Sequence, residues 1–271
     1  MAGRTRRIAR KLTSDGPIFG IYDKESPEVA EFRRLLFRLR NIKSPNSKDI
    51  GTSYLITSAA RDEGKTIVAS YLAITAAEAD PRPTLLIDAD LRRPKVHEFF
   101  GLKREGGLSD LLYGMGKLEA DLHGKETQRA ALLAKVFSDE VSLGSYLKDT
   151  AVENLKVLTS GRPFHRPSEL IRYQRLGVLL SIFRRKFTNI IIDSPPVIPV
   201  SDTVIMGPEV DATILVVMAG KTPREVVMRA KDILTSAKVN LVGIVANDLK
   251  GALPYYYSYK YYKYYYREKK K

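Results

Sequence analysis

Cysteine is absent from the 271 residues. Its absence excludes a disulfide framework, a Cys-ligated zinc or iron–sulfur site and a thiol nucleophile, and it fits a cytoplasmic chain. Long apolar runs are lacking as well. The longest uncharged stretch, IVASYLAITAA after Lys65, is much shorter than the ~20 residues of a spanning helix, so the chain is not expected to cross a membrane alone. Its start, MAGRTRRIARKL, carries Arg4, Arg6, Arg7, Arg10 and Lys11 with no long apolar core behind them and does not read as a signal peptide. No internal repeat of useful length is visible.

What is present is a globular composition with decorated ends. A hydrophobic content of 44% suffices to bury a substantial core as one large α/β domain or two smaller ones. The formal net charge is +14, with much of the excess in the Arg-rich start and in Lys260, Lys263, Arg267 and Lys269 to Lys271. Such ends are either solvated tails or segments drawn to anionic lipid or nucleic acid. The last 17 residues, YYYSYKYYKYYYREKKK, hold nine of the 15 tyrosines. They follow neither a period of two nor one of 3.6 with a polar opposite face, so no core strand or helix is expected there. The run reads as something other molecules act on.

Between the ends, short β-branched runs alternate with longer amphipathic segments. Candidate strands are Ser53 to Ser58, Thr84 to Asp90, Leu155 to Ser160, Asn189 to Pro195, Ala212 to Gly220 and Leu241 to Asn247. Continuous apolar strands suit a sheet covered on both faces. Helical patterns cover Lys65 to Ala79, Pro167 to Phe187 and Pro223 to Ala237, the last with Val226, Val227, Ala230, Ile233 and Leu234 on one stripe. This alternation predicts a doubly wound, mostly parallel α/β sheet with helices on both faces. Residues 117–154 are polar and mixed, and read as an insertion with some helix. Another helix is expected over Ser26 to Ile42. Ser and Pro open it, Glu28 and Glu31 lie near its start, and Arg33, Arg34, Arg38 and Arg40 follow, an order that suits capping and the helix dipole. Val29, Phe32, Leu36 and Leu39 form its apolar stripe, and Glu31, Arg34 and Arg38 lie together on another side.

The strongest chemistry is in SAARDEGKTIVAS. GKT directly after an apolar strand and at the start of a helix is what a phosphate-binding loop needs: backbone N–H groups wrap phosphates, Lys65 contacts β/γ oxygens and the Thr66 hydroxyl holds Mg²⁺. The full GxxxxGK[ST] pattern is not met, because Ala59 occupies its first glycine position. TLLIDADLRRP then puts Asp88 and Asp90, and NIIIDSPPV puts Asp193, at the carboxyl ends of strands, where an open α/β sheet gathers its ligand site. Carboxylates there can position a metal beside bound MgATP or accept a proton from an incoming hydroxyl. Each Asp alone is as readily a helix cap or turn residue.

Together the deviant phosphate loop, IDADLRRP followed by His97 and Phe100, SGRPFHRPSELI, IIIDSPPV, GIVAN and the terminal tyrosine cluster resemble the bacterial tyrosine kinases, the autokinases associated with polysaccharide co-polymerases, over about Ser26 to Lys271. The resemblance implies a P-loop NTPase fold of the MinD/ParA type, ATP and Mg²⁺ as cofactors, and transfer of the γ-phosphate to tyrosine. Lys65 and Thr66 match the Walker A lysine and hydroxyl. Asp88 matches the first Walker A′ aspartate, the base or hydroxyl-orienting group. Asp90 matches the second and Asp193 the Walker B aspartate, both in the magnesium network with Thr66. Arg92 completes DxDxR as a catalytic residue. Arg61, Asp62, Glu63, Gly64, Lys65, Thr66 and Ile67 form the nucleotide loop, and Asn247 falls where related ATPases contact adenine, a turn-forming Asn being the other reading. The phosphoacceptors implied are Tyr255, Tyr256, Tyr257, Tyr259, Tyr261, Tyr262, Tyr264, Tyr265 and Tyr266, on a tether that extends to about 55 Å.

Two departures stand out. The family loop reads near PGEGK, and here Arg61-Asp62 replaces Pro-Gly, which brings a carboxylate toward the phosphates. The family's oligomerisation motif Glu-x-x-Arg-x-x-Arg is met by Glu31 and Arg34, with Phe37 at the third position and Arg38 beside it. The organisation expected is a basic, flexible N-terminus over 1–25, an oligomerisation helix and linker over 26–50, a kinase domain over 51–250 and a tyrosine-rich tail over 251–271. The implied partners are further copies of the chain, in an oligomer or ring, a separate transmembrane activator of the co-polymerase type and a cognate tyrosine phosphatase. The implied location is the inner face of the cell membrane, and the implied role is control of capsular or exopolysaccharide synthesis or export. The alternatives are a MinD/ParA-like ATPase switch that makes no phosphotyrosine and, less favoured, a nucleic-acid binder that stacks bases on the tail tyrosines.

Overall fold

Aliphatic runs with few charges have to pair where both faces can be covered. In the computed structural model, which describes residues 16–41, 51–121 and 143–248, they form a seven-stranded sheet: β1 Thr52–Ser58, β2 Thr84–Asp88, β3 Lys148–Asp149, β4 Leu155–Leu158, β5 Asn189–Asp193, β6 Ala212–Met218 and β7 Leu241–Asn247. The order is β3-β4-β2-β5-β1-β6-β7. All pairings are parallel except that of β3, which runs antiparallel to β4. The helices are α1 Ile18–Ile21, α2 Pro27–Arg40, α3 Lys65–Ala79, α4 Val96–Phe100, α5 Leu108–Asp121, α6 Pro167–Leu170, α7 Tyr173–Lys186, α8 Asp202–Met206 and α9 Arg224–Ser236.

The period of two along each strand divides the core between the two faces. Leu85 and Ile87 pack on one side with Ile190, Ile192 and the α7 residues Leu179, Leu180 and Phe183. Leu86 and Ile191 pack on the other side with Leu72, Ile74 and Ala76 of α3. A third cluster joins Leu215 of β6 to Ala230 and Leu234 of α9. The mostly parallel, doubly wound sheet expected from the sequence is the fold observed.

α2 starts where the sequence signals say. Ser26 accepts a hydrogen bond from Val29 N at 3.2 Å, Pro27 is the first helical residue, and Arg38 and Arg40 lie in the last turn. Val29, Leu36 and Leu39 are buried, and Phe32 meets Tyr71 of α3 at 5.2 Å between ring centroids. The flexible segment expected through residue 25 does not hold over residues 16–25. The apolar IFGIY run finds partners there: Ile18 is buried in the α3 core and Phe19 packs edge-on against Phe100 at 5.6 Å.

Two other expectations are corrected. The helix predicted from Pro167 to Phe187 is split between α6 and α7, because Ile171 and Arg172 leave helical geometry (ψ 88 and 138°) and Leu170 and Ile171 turn into the core. The strands predicted to reach Asp90, Ser160, Pro195 and Gly220 end two residues earlier, where the chain turns outward into loops. Of the insertion read at 117–154, residues 122–142 lie outside the described residues. The remainder supplies the end of α5 and the edge strand β3.

The amino end of the sheet is fastened by a buried ion pair. Arg184 of α7 reaches Asp211, just before β6, at 3.2 Å. The same Asp211 oxygen accepts from Ser53 N at 2.8 Å and Ser53 Oγ at 2.7 Å. Removing one member of such a pair strands a buried charge, which costs about 3–5 kcal/mol. Arg184→Ala is therefore expected to lose that much stability in urea titration. A loss below about 1 kcal/mol, the scale of an exposed pair, would show that the pair does not hold the sheet.

Candidate active site

The carboxyl ends of β2, β5 and β1 lie side by side, and the loops that leave them define the site. After β1 the chain turns through residues 59–64 with Asp62 at φ 61° and Gly64 at φ 86°, the left-handed region that favours glycine. Gly64 is required twice, because a Cβ there would stand 2.0 Å from Asn247 Nδ2. The buried Glu63 carboxylate accepts from Ala60 N at 2.7 Å and from the Thr222 hydroxyl, and Asn247 Nδ2 donates to the Glu63 carbonyl at 3.0 Å. The segment after β6 and the last residue of β7 thus hold the loop in shape. No side chain caps the start of α3, so its first N–H groups are available to an anion.

Beneath this loop is one compact network. Lys65 Nζ lies 2.9 Å from Asp90 and 3.3 Å from Asp193. The Thr66 hydroxyl donates to Asp193 at 2.7 Å. Parallel register sets Asp88 directly opposite Asp193. Asp88 is fully buried, with one oxygen accepting from Val96 N at 3.1 Å and the other, Oδ1, without a hydrogen-bond partner. One ammonium faces three carboxylates. Burial opposes the Lys65 charge, yet Asp193 and Asp90 more than offset it and hold the ammonium above its ordinary range. Burial first and the Asp193 charge next push Asp88 well above the ordinary carboxylate range, against the pull of Lys65. Burial raises Asp193 too, opposed by Lys65 and by the Thr66 hydroxyl.

Above the network opens a cavity of about 480 Å³, within the range of small-ligand sites. Arg61, Asp62, Gly64, Lys65, Thr66 and Ile67 line it on the loop side, with Asp90, Arg92, Arg93 and Lys95 opposite. Thr66, Asp90 and Asp193 offer hard oxygen ligands. They make no ready metal cage, and among the described residues no cluster of three or more His, Cys, Asp or Glu does so. A Mg²⁺ ion is commonly held by one or two carboxylates with phosphates and water completing its shell, so the donor set fits Mg²⁺ that arrives with a nucleotide.

Lys65, Thr66, Asp88, Asp90 and Asp193 are therefore brought together, with Arg92 at the rim. Asn247 touches the loop at Glu63 but does not itself line that cavity. It lines a second groove of about 400 Å³ together with Glu31, Arg34 and Arg38 of α2, while Phe37 on the same helix is 70% exposed. The tail tyrosines, Tyr255 to Tyr257, Tyr259, Tyr261, Tyr262 and Tyr264 to Tyr266, lie outside the described residues. Sequence reasoning missed Thr222, Ser168 and Asp202. The last two contact Arg92; Ser168 lies within SGRPFHRPSELI, a motif quoted above without a role for that residue, and the only local signal for Asp202 was its place at a short helix start after Ser201.

No family model matches the chain. It is 32% identical over 254 residues to CapB of Staphylococcus aureus, which carries a tyrosine-protein kinase name, covering 92% of this chain and 98% of that protein. The solved kinase domain of the Escherichia coli tyrosine kinase ETK superposes with a TM-score of 0.72 at 28% identity over 91% of this chain and 87% of that one. The crystal structure of the chimerical protein CapA2B2 gives a TM-score of 0.67 at 26% identity over 87% and 90%.

The electrostatics of this network bear on stability. A carboxyl whose pKa is raised on folding contributes fully below its unfolded value and loses that contribution as pH rises through the folded value. Asp88→Asn should therefore raise the unfolding temperature of nucleotide-free protein at pH 7. The gain should close as pH falls toward 3.8, the ordinary value. A gain that stayed constant with pH, measured by calorimetry, would rule out Asp88 ionisation as its source.

Proposed function

The chain belongs to the bacterial tyrosine-protein kinases, and from that membership we propose that it transfers the γ-phosphoryl group of ATP to the tyrosines of its own C-terminal cluster, in trans within an oligomer. One observation supports this reading above the others: Lys65 stands within 2.9 Å of Asp90 and 3.3 Å of Asp193, beneath an uncapped helix start and beside a buried carboxylate with a free oxygen.

In this reading, ATP supplies the phosphoryl group and Mg²⁺ neutralises its oxygens. The α3 N–H groups hold the phosphates, Thr66, Asp90 and Asp193 supply oxygen ligands, and Lys65 leaves its carboxylates for the β/γ oxygens. Asp88 takes the phenol proton as the phenol oxygen attacks phosphorus and the bond to ADP breaks. Burial and Asp193 raise its proton affinity, which narrows the gap to a phenol of pKa about 10. Arg92 reaches from the rim toward the charge that develops on the transferred group. Asn247 meets the base, and Arg61 and Asp62 form the outer edge of the nucleotide loop.

The wider reading follows the same family logic. Glu31, Arg34 and Arg38, beside the exposed Phe37, form the contact between copies. The enzyme works at the inner face of the cell membrane with a separate transmembrane activator of the polysaccharide co-polymerase type. A cognate tyrosine phosphatase resets it, and the cycle governs capsular or exopolysaccharide synthesis or export. Among the described residues no helix is long and apolar enough to cross a membrane.

Incubation of the full chain with MgATP and mapping of phosphotyrosine by mass spectrometry tests the reading. Modification should concentrate between Tyr255 and Tyr266, Lys65→Met should abolish it, and Asp88→Asn should retain nucleotide binding while slowing transfer by about 10² or more. ATP hydrolysis without phosphotyrosine would return the chain to the ATPase-switch alternative. Combining Glu31→Ala, Arg34→Ala and Arg38→Ala should leave a folded monomer that binds ATP and phosphorylates its tail poorly. An unchanged mass by light scattering would mean that this helix face does not join copies.

A further inference from the structure

Three side chains from three neighbouring strand ends meet at the rim of the cavity. Arg92 follows β2, Ser168 lies in α6 after β4, and Asp202 opens α8 after β5. β2 stands between β4 and β5 in the sheet, so the two partners approach Arg92 from either side. Arg92 donates from Nη2 to Ser168 Oγ at 2.6 Å and from Nε to Asp202 Oδ2 at 3.3 Å. The Ser168 hydroxyl donates to the other Asp202 oxygen at 2.7 Å.

The polarity of this triangle is fixed. A serine hydroxyl has one proton; here it is committed to Asp202, so Oγ is left to accept from Arg92. Asp202 is fully buried, whereas the Arg92 side chain is 41% exposed and lines the same cavity as Lys65 and Asp90. The carboxylate is thus the anchor and the guanidinium the end that reaches out. The two bonds use the Nε and Nη2 edge of the fork, which leaves Nη1 to face a ligand. A long, flexible arginine gains most from such a hold, because a group fixed before reaction needs no reorganisation as charge develops.

We infer that Ser168 and Asp202 are positioning residues that clamp Arg92 over the phosphoryl-transfer cavity. The inference rests on the role given to Arg92 under the proposed function. A simple fastening of three loops would leave the same contacts but a different kinetic signature.

The test uses the full chain with MgATP, initial rates of tail phosphorylation and thermal unfolding. Arg92→Ala should lower kcat by about 10² to 10³, the scale of losing one charge-stabilising donor. Ser168→Ala should lower it by about 10- to 10²-fold, as for a misplaced group, with KM for ATP and the unfolding temperature little changed, and Ser168→Thr should restore it. In an Arg92→Ala background, Ser168→Ala should cost nothing further. Added guanidinium ion should partly rescue Arg92→Ala, and the rescue should fail once Ser168→Ala is also present. An equal loss from Ser168→Ala with and without Arg92, or guanidinium rescue that ignores Ser168, would overturn the clamp. So would wild-type kcat in both Ser168→Ala and Asp202→Asn. Normal turnover by Arg92→Ala would overturn the role of Arg92 itself, and the clamp with it. Should Asp202→Asn fail to fold, the Ser168 variants decide alone.

Discussion

Parallel register between β2, β5 and β1 decides where the two fully buried carboxylates of the site stand. Asp88 is opposite Asp193, and Ile56 of β1 is opposite Asp193 on the other side. Because side chains alternate with period two, a slip of one residue would send these groups to the opposite face. The aliphatic neighbours prevent that slip: Leu85 and Ile87 belong to the core under α7, and Leu86 to the core under α3. The geometry of the site is thus enforced by hydrophobic packing one to three residues away.

That enforcement gathers like charges where water cannot screen them. Three carboxylates and one lysine share a site in which Asp88 and Asp193 are fully buried, and their mutual repulsion is weakened only by Lys65 and a few hydrogen bonds. A site arranged for stability would exchange some of these groups for apolar ones. The opposite end of the sheet shows the contrast. There one carboxylate, Asp211, meets one guanidinium, Arg184, with Ser53 completing the hydrogen bonds. The amino end of the sheet is neutralised, while the buried network at the carboxyl end keeps three carboxylates around one ammonium, beneath a rim that carries Arg61, Arg92, Arg93 and Lys95.

Strong periodicity was legible, and departures from it were not. α3 and β7 begin and end where the sequence predicts, because an uninterrupted apolar run and its flanking turn residues agree. The strands overrun in prediction where Ala89, Thr159 and Ser194 continue a buried pattern after pairing has stopped, since burial and pairing are separate constraints. α5 was missed because Gly114 and Gly116 lower helix propensity. Gly116 lies against the Arg175 guanidinium, which a Cβ there would approach to 2.9 Å. Asp88, Asp90 and Asp193 were legible as a group because Asp88 and Asp193 end apolar strands and Asp90 follows two residues after the first. The roles of Ser168, Asp202 and Thr222 were not, because their partners lie far away in sequence: SGRPFHRPSELI contains Ser168 but does not say which loop its hydroxyl serves.

Asn247 belongs to two places at once. Its carboxamide donates to the Glu63 carbonyl in the loop after β1, and it also lines the groove bounded by Glu31, Arg34 and Arg38. Any occupant of that groove that shifts this one amide changes the shape of the loop, and any ligand of the loop that shifts it changes the groove. Thermodynamic reciprocity makes the two effects equal in free energy. A single side chain thus ties the shape of the loop after β1 to the groove beside α2.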